Sequence, residues 1–224
     1  MAGPISPDPW GWNGLVLCLL LVAACGRPGT PDVTGDGRVR VACWGDSNTA
    51  RRWWIDGSEH DRWCEYLQAR APATWEAVNC GFYGMNVAGL DLLGADSWTA
   101  CVTDNTDAVV IALGTIDIGH GRTAAQVVAD LARLVEVAAT TGMPPGRLRR
   151  VLVVAIPPRR DRAELNAVID GANRLLRERM GDGLVLPPGA IGTADATHLD
   201  DAAQHARADA VWEALRRHRA ARGE

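Results

Sequence analysis

Apolar residues gather in five short runs, at 39–44, 75–79, 108–113, 151–156 and 184–186, separated by longer stretches with helical spacing. Continuous apolar runs of this length read as strands buried on both faces. Between them, 61–70 places Trp63, Tyr66 and Leu67 on one side. The stretch 124–141 does the same with Val127, Val128, Leu131, Leu134, Val135 and Ala138, and 162–180 with Leu165, Val168, Ile169, Ala172, Leu175 and Leu176. A last helix is expected over 202–221. Strands alternating with helices predict a parallel sheet covered on both sides, an α/β fold in three α/β/α layers. Ligands in such folds bind beyond the carboxyl ends of the strands. The segments following the first three runs, beginning at Ser47, Gly81 and Gly114, are therefore expected on one edge.

The N-terminal 37 residues do not fit this alternation. Positions 15–24 form an apolar run too short for a comfortable membrane span of roughly 20 residues, and it ends in Val22-Ala23-Ala24-Cys25. Small residues closing an apolar segment mark a secretory signal, and this tetrapeptide resembles a bacterial lipobox, in which the cysteine is lipidated. Residues 1–14 depart from a typical signal in having no Arg or Lys and one Asp, Asp8. The reading divides the chain into an export segment (1–25), a Gly- and Pro-rich tether (26–37) and a folded domain (38–221). It implies export and a membrane anchor through Cys25.

Composition narrows the partners. The net charge is −4, so no basic field exists to hold nucleic acid. All 23 cationic side chains are Arg, and one Phe stands against nine Trp; a GC-rich coding sequence accounts for that bias. Cys43, Cys64, Cys80 and Cys101 lie beyond the export segment. In an exported protein they are expected either as two disulfides, in any of three pairings, or as four buried thiols.

Candidate chemistry sits at the first strand end. Gly45-Asp46-Ser47-Asn48-Thr49 follows the run 39–44 and puts a hydroxyl on a strand-to-helix turn. Serine is a weak nucleophile without a positioned base, and its other use here is to cap a helix. Asp195-Ala196-Thr197-His198 follows the last short run and precedes the final helix. A carboxylate three residues before an imidazole can orient it, and the loop can return to the edge that carries Ser47.

Taken in order, these segments resemble the SGNH, or GDSL-type, hydrolases. Gly45-Asp46-Ser47 is similar to the first block of that family. Asn79-Cys80-Gly81-Phe82-Tyr83-Gly84 is similar to the second, N-x-G-x-x-G, and Leu113-Gly114-Thr115-Ile116-Asp117 to the third, normally G-x-N-D. Asp195-x-x-His198 is similar to the fifth. The resemblance runs from about Val39 to Trp212 and implies a flavodoxin-like sheet of about five strands. It also implies a serine esterase with Ser47, Asp195 and His198 as the catalytic residues. The backbone N–H groups of Ser47 and Gly84 would form the oxyanion hole, with no metal or organic cofactor. The implied substrates are small acyl esters, for example acetyl groups on carbohydrate or lipid-derived material.

Ile116 departs from the pattern. The family places an Asn there whose amide is an oxyanion donor, and isoleucine has nothing to donate. Removing one such donor costs on the order of 100- to 1,000-fold in rate, far less than a serine hydrolase supplies in total. A slower or differently built enzyme is expected. Asn86 and Asn48 are candidates to supply an amide, and Asp46, Asn86, Ile116 and His120 to line the substrate site. The alternatives are a catalytically weak module that binds glycan or envelope material, and a sugar O-acyltransferase in which a hydroxyl replaces water.

Other features carry less. His60, His120, His205 and His218 lack zinc-site spacing. Trp44, Trp53, Trp54 and Trp98 are expected in the core or at a rim. Arg147, Arg149, Arg150, Arg159, Arg160 and Arg162 flank the run 151–156 and are expected on a solvated face. There is no G-x-S-x-G elbow, P-loop or dinucleotide fingerprint.

Overall fold

The five apolar runs become β1 (Val39–Gly45), β2 (Trp75–Gly81), β3 (Ala108–Ala112), β4 (Arg150–Val154) and β5 (Leu184–Val185) of one parallel sheet, ordered β2-β1-β3-β4-β5. The computed structural model describes residues 35–51, 58–88, 101–146, 148–187, 195 and 197–220. The expected export segment and Cys25 lie outside the described residues, as do Trp53, Trp54, Trp98 and Arg147.

The helices are α1 (Trp63–Arg70), α2 (Thr115–Gly119), α3 (Ala124–Thr140), α4 (Asn166–Met180) and α5 (Asp201–Ala220). Strand side chains alternate between two cores. On one face Ala42, Trp44, Val109, Ile111 and Val153 meet Val127, Leu131 and Leu134 of α3 and Ile169, Ala172 and Leu176 of α4. On the other, Val41, Cys43, Val110, Leu152 and Val154 meet Trp63 and Leu67 of α1 and Ala208, Val211 and Leu215 of α5. This is the three-layer α/β/α arrangement.

Local chemistry sets the helix ends. Thr123 Oγ1 accepts from Gln126 N while Gln126 Oε1 accepts from Thr123 N, a reciprocal cap opening α3. Asp200 Oδ1 accepts from Ala203 N at 2.8 Å and opens α5. The pattern expected as one helix over 162–180 starts with a short 3₁₀ turn, Ala163–Leu165, before α4 proper. Because the strands are parallel, β1, β2 and β3 release their loops on the same edge, with Gly45 level with Gly81 and Ala112.

Arg160 and Arg162 are exposed as expected, whereas Arg149 and Arg150 correct the expectation of a solvated face. Arg149 is buried, at 3% exposure. Its guanidinium donates to the carbonyls of Thr106, Ala138, Thr141 and Thr103. Arg150 donates to the carbonyls of Ala214 and Leu215 on α5. Carbonyls near helix ends and in loops lack intrahelical partners, and a guanidinium with five donors can satisfy several at once. Burial lowers Arg149, and it lowers Arg150 to about 10.

Of the three pairings left open, the structure has Cys43–Cys64, joining β1 to α1, and Cys80–Cys101, joining β2 to the segment before β3. Each closes a loop with a sequence separation of 21, a length at which a crosslink stabilises by about 3 kcal/mol. Replacing Cys80 and Cys101 together by Ala is expected to lower the free energy of unfolding by about that amount. Urea titration checks it, and an unchanged midpoint would contradict it.

Candidate active site

β1 ends at Gly45, and the chain turns at once. Thr49 N and Ala50 N both donate to Asp46 O at 2.9 Å, and Asn48 N donates to the Asp46 carboxylate at 2.9 Å. The turn is almost wholly buried, with Ser47 at 6% exposure. Neighbouring side chains hold it on several sides. Asn48 Oδ1 accepts from Leu199 N at 2.8 Å, and Gln204 Nε2 donates to Asn48 O at 3.1 Å. Asn79 Nδ2 donates to Thr49 O at 2.7 Å, and Trp63 Nε1 to Thr49 Oγ1 at 3.0 Å.

The Leu199–Asn48 bond brings the β5–α5 loop onto this turn. His198 Nε2 lies 3.0 Å from Ser47 Oγ, and His198 Nδ1 lies 2.7 Å from Asp195 Oδ2. Three groups 151 and 3 residues apart in sequence thus form one continuous hydrogen-bonded chain. Burial alone would raise Asp195, but its bonds from His198 N at 2.7 Å, from the imidazole and from Thr197 N at 3.1 Å hold it below the ordinary carboxylate value. Asp195 is therefore ionised at neutral pH and locks the imidazole in place.

Asp46 does not open onto the cleft as expected. It is buried at 2% exposure beneath the turn. Burial pushes its carboxyl up, opposed by the Asn48 bonds and by the charge of Arg207. Arg207, from α5, is itself buried and lowered to about 10, with Asp46 partly compensating. Asp46 braces the turn from below, with Arg207 as its buried counter-charge.

On the β2 side, Gly84 has φ of 70°, a conformation that favours glycine, and its α-carbon faces open space. Phe82 N donates to Gly45 O at 2.9 Å, which ties this loop to the end of β1. From the β3 side, Asp117 accepts from Val87 N at 2.9 Å and Ala88 N at 3.1 Å, so its buried carboxylate fixes the segment just past Gly84. Ile116, half-buried, stands one residue earlier in α2. The Asp of the third block keeps its place while the Asn is lost. Asn86 is half-buried on the Gly84 loop, and His120 is exposed where α2 ends.

The model of the GDSL-like lipase/acylhydrolase family matches residues 43–187 of the 224. The chain belongs to that family. This GDSL-type protein is accordingly a hydrolase of ester bonds. Among solved structures its fold is similar to an aryl esterase from M. smegmatis, with 22% identity and a TM-score of 0.62 over 80% of this chain and 98% of that one. A carbohydrate acetylesterase family member from Sinorhizobium meliloti matches with 21% identity and a TM-score of 0.62, again over 80% and 98%. A G-D-S-L family lipolytic protein from Veillonella parvula matches with 22% identity and a TM-score of 0.61, over 78% and 96%. No curated protein matches the sequence.

Several residues that shape this GDSL site went unnoticed in the sequence. Gln204 and Arg207 look like the polar side of a helix, and only the fold shows that they face the nucleophile turn. Asn79 falls within the N-x-G-x-x-G block, but its clamp on Thr49 and on Glu65 Oε1 at 2.9 Å appears only in space.

Proposed function

We propose that the protein is a serine esterase in which Ser47 is the nucleophile, His198 the general base and Asp195 its orienting carboxylate. The observation that carries this is the unbroken chain from Ser47 Oγ to His198 Nε2, at 3.0 Å, and from Nδ1 to Asp195, at 2.7 Å. An imidazole that donates Nδ1–H to a carboxylate keeps Nε2 as an acceptor for the serine hydroxyl. As Oγ attacks the ester carbonyl, His198 takes its proton, and Asp195 stabilises the imidazolium. The tetrahedral oxyanion receives the N–H groups of Ser47 and Gly84. His198 then protonates the departing alcohol, and water, activated by the same imidazole, releases the acid from Ser47.

Small acyl groups, acetyl first, are the proposed substrates, on alcohols of carbohydrate or lipid-derived type. The structural likeness to a carbohydrate acetylesterase family member supports that direction. Hydrolysis of an acetylated sugar in the presence of a second sugar as acceptor tests the reaction. Free acetate as the main product supports hydrolysis, and acetylated acceptor as the main product overturns it in favour of transfer.

Ile116 leaves the oxyanion with two backbone donors and no side-chain amide in this reading. Ile116→Asn is expected to raise kcat on an acetyl ester by on the order of 10-fold or more, within the range that one such donor supplies. An unchanged kcat in a well-folded variant would mean that the donor is already supplied from elsewhere. Asn86→Ala then identifies that source if it removes most of the activity.

A further inference from the structure

Arg159 leaves β4 on the same edge as Ser47 and is unusually well fixed for a surface arginine. Both its peptide groups are held by Asn166, whose Oδ1 accepts from Arg159 N at 2.8 Å and whose Nδ2 donates to Arg159 O at 3.0 Å. Its guanidinium forks onto Asp161, through Nε at 2.8 Å and through Nη2. The side chain is only 11% exposed. The Asp161 carboxyl is held below its ordinary value chiefly by Arg159, with a smaller contribution from the nearby side chain of Thr197, the neighbour of His198.

A guanidinium has two forked edges. Asp161 occupies the Nε/Nη2 edge. Nη1, on the other, has no hydrogen-bond partner among the described residues. It lies over Gly119 at the end of α2, where an added Cβ would stand 3.4 Å from it. Arg162 Nη1 donates to Gly119 O at 2.7 Å, so a second cation converges on the same spot. Residues 159–164 carry three arginines against two acids.

Position decides what this edge can meet. The strand order puts β2, which carries Gly84, on one side of β1, and β4, which carries Arg159, on the other. In the proposed reaction the oxyanion points to Gly84, and the alcohol leaves from the side where His198 returns the proton. Asp161, which holds Arg159 and lies near Thr197, places Arg159 on that side.

Resting on the serine-esterase reading, we propose that Arg159 is a specificity-determining residue whose Nη1 edge, turned away from Asp161, binds an anionic oxygen group, a carboxylate, sulfate or phosphate, on the leaving alcohol. The preferred substrates are then acyl esters of acidic alcohols. The side chain is already immobilised by Asp161 and Asn166, so little ordering remains to be done on binding. A planar fork suits such groups better than an ammonium.

The test compares two acetyl esters that differ in one charge, 4-acetoxybenzoate and its methyl ester. Wild type is expected to favour the acid in kcat/KM, chiefly through KM, and added salt should erode that preference. Arg159→Gln should lower the acid-to-methyl-ester ratio about tenfold or more, in line with a lost charge-assisted hydrogen bond. Arg159→Lys should restore part of it. Turnover of both esters by wild type with no preference and no salt effect overturns the Arg159 proposal and leaves the esterase reading standing. An equal loss on both esters in Arg159→Gln assigns Arg159 to structure and also overturns it. Failure of wild type to cleave either ester removes the esterase reading, and this one with it.

Discussion

Replacing Ser47 with alanine is expected to lower kcat on an acetyl ester by on the order of 10⁴-fold or more while leaving the fold intact. The hydroxyl is small, and its only described side-chain partner is His198 at 3.0 Å. Its loss leaves no unpaired charge behind. The backbone N–H of residue 47 survives, so the variant retains an oxyanion donor and some residual rate over water. Steady-state kinetics with a thermal melt checks the expectation. A variant that melts like wild type and keeps more than a few per cent of its activity would contradict it.

Gly81→Ala is expected to be the most damaging substitution that touches no reacting atom. β2 ends against the nucleophile turn, and a Cβ at 81 would overlap the backbone of Thr49 and Ala50. The obstacle is main chain, which cannot swing aside as a side chain does. Overpacking of a close contact typically costs about 1–3 kcal/mol, and more where backbone must shift. A loss of about 3 kcal/mol or more in unfolding free energy is expected. Activity should fall further than stability, because relief of the overlap displaces the turn that carries Ser47. Urea titration and ester hydrolysis read the two effects separately. Full activity and stability in Gly81→Ala would mean that β2 does not press on that turn.

Much of the frame was legible in the sequence because its signals are local. Runs such as 108–113 are apolar on both faces, which only a doubly covered strand tolerates, and α3 carries both its cap at Thr123 and its apolar stripe in adjacent residues. The segments at Ser47, Gly84 and Asp195–His198 were legible as an ordered set with characteristic spacing. What escaped depends on contacts between distant elements. Four cysteines do not declare their partners until β1 meets α1. Arg149 looks like any surface arginine until the carbonyls at 138 and 141 are brought to it. Asp46, beside the nucleophile in sequence, points beneath the turn because Asn48 and Arg207 stabilise a buried carboxylate there. Arg159 was legible as a charge but not as a fixed one, since its anchors at Asn166 and Asp161 act only after the chain turns back after β4.

Covalent labelling with a fluorophosphonate, followed by peptide mapping, probes the nucleophile directly and needs no knowledge of the substrate. The folded protein is predicted to take one phosphonyl group, on Ser47, faster in wild type than in His198→Ala and not at all in Ser47→Ala. No adduct on the folded wild-type chain, or one that persists in Ser47→Ala, would contradict the claim that this hydroxyl carries the chemistry.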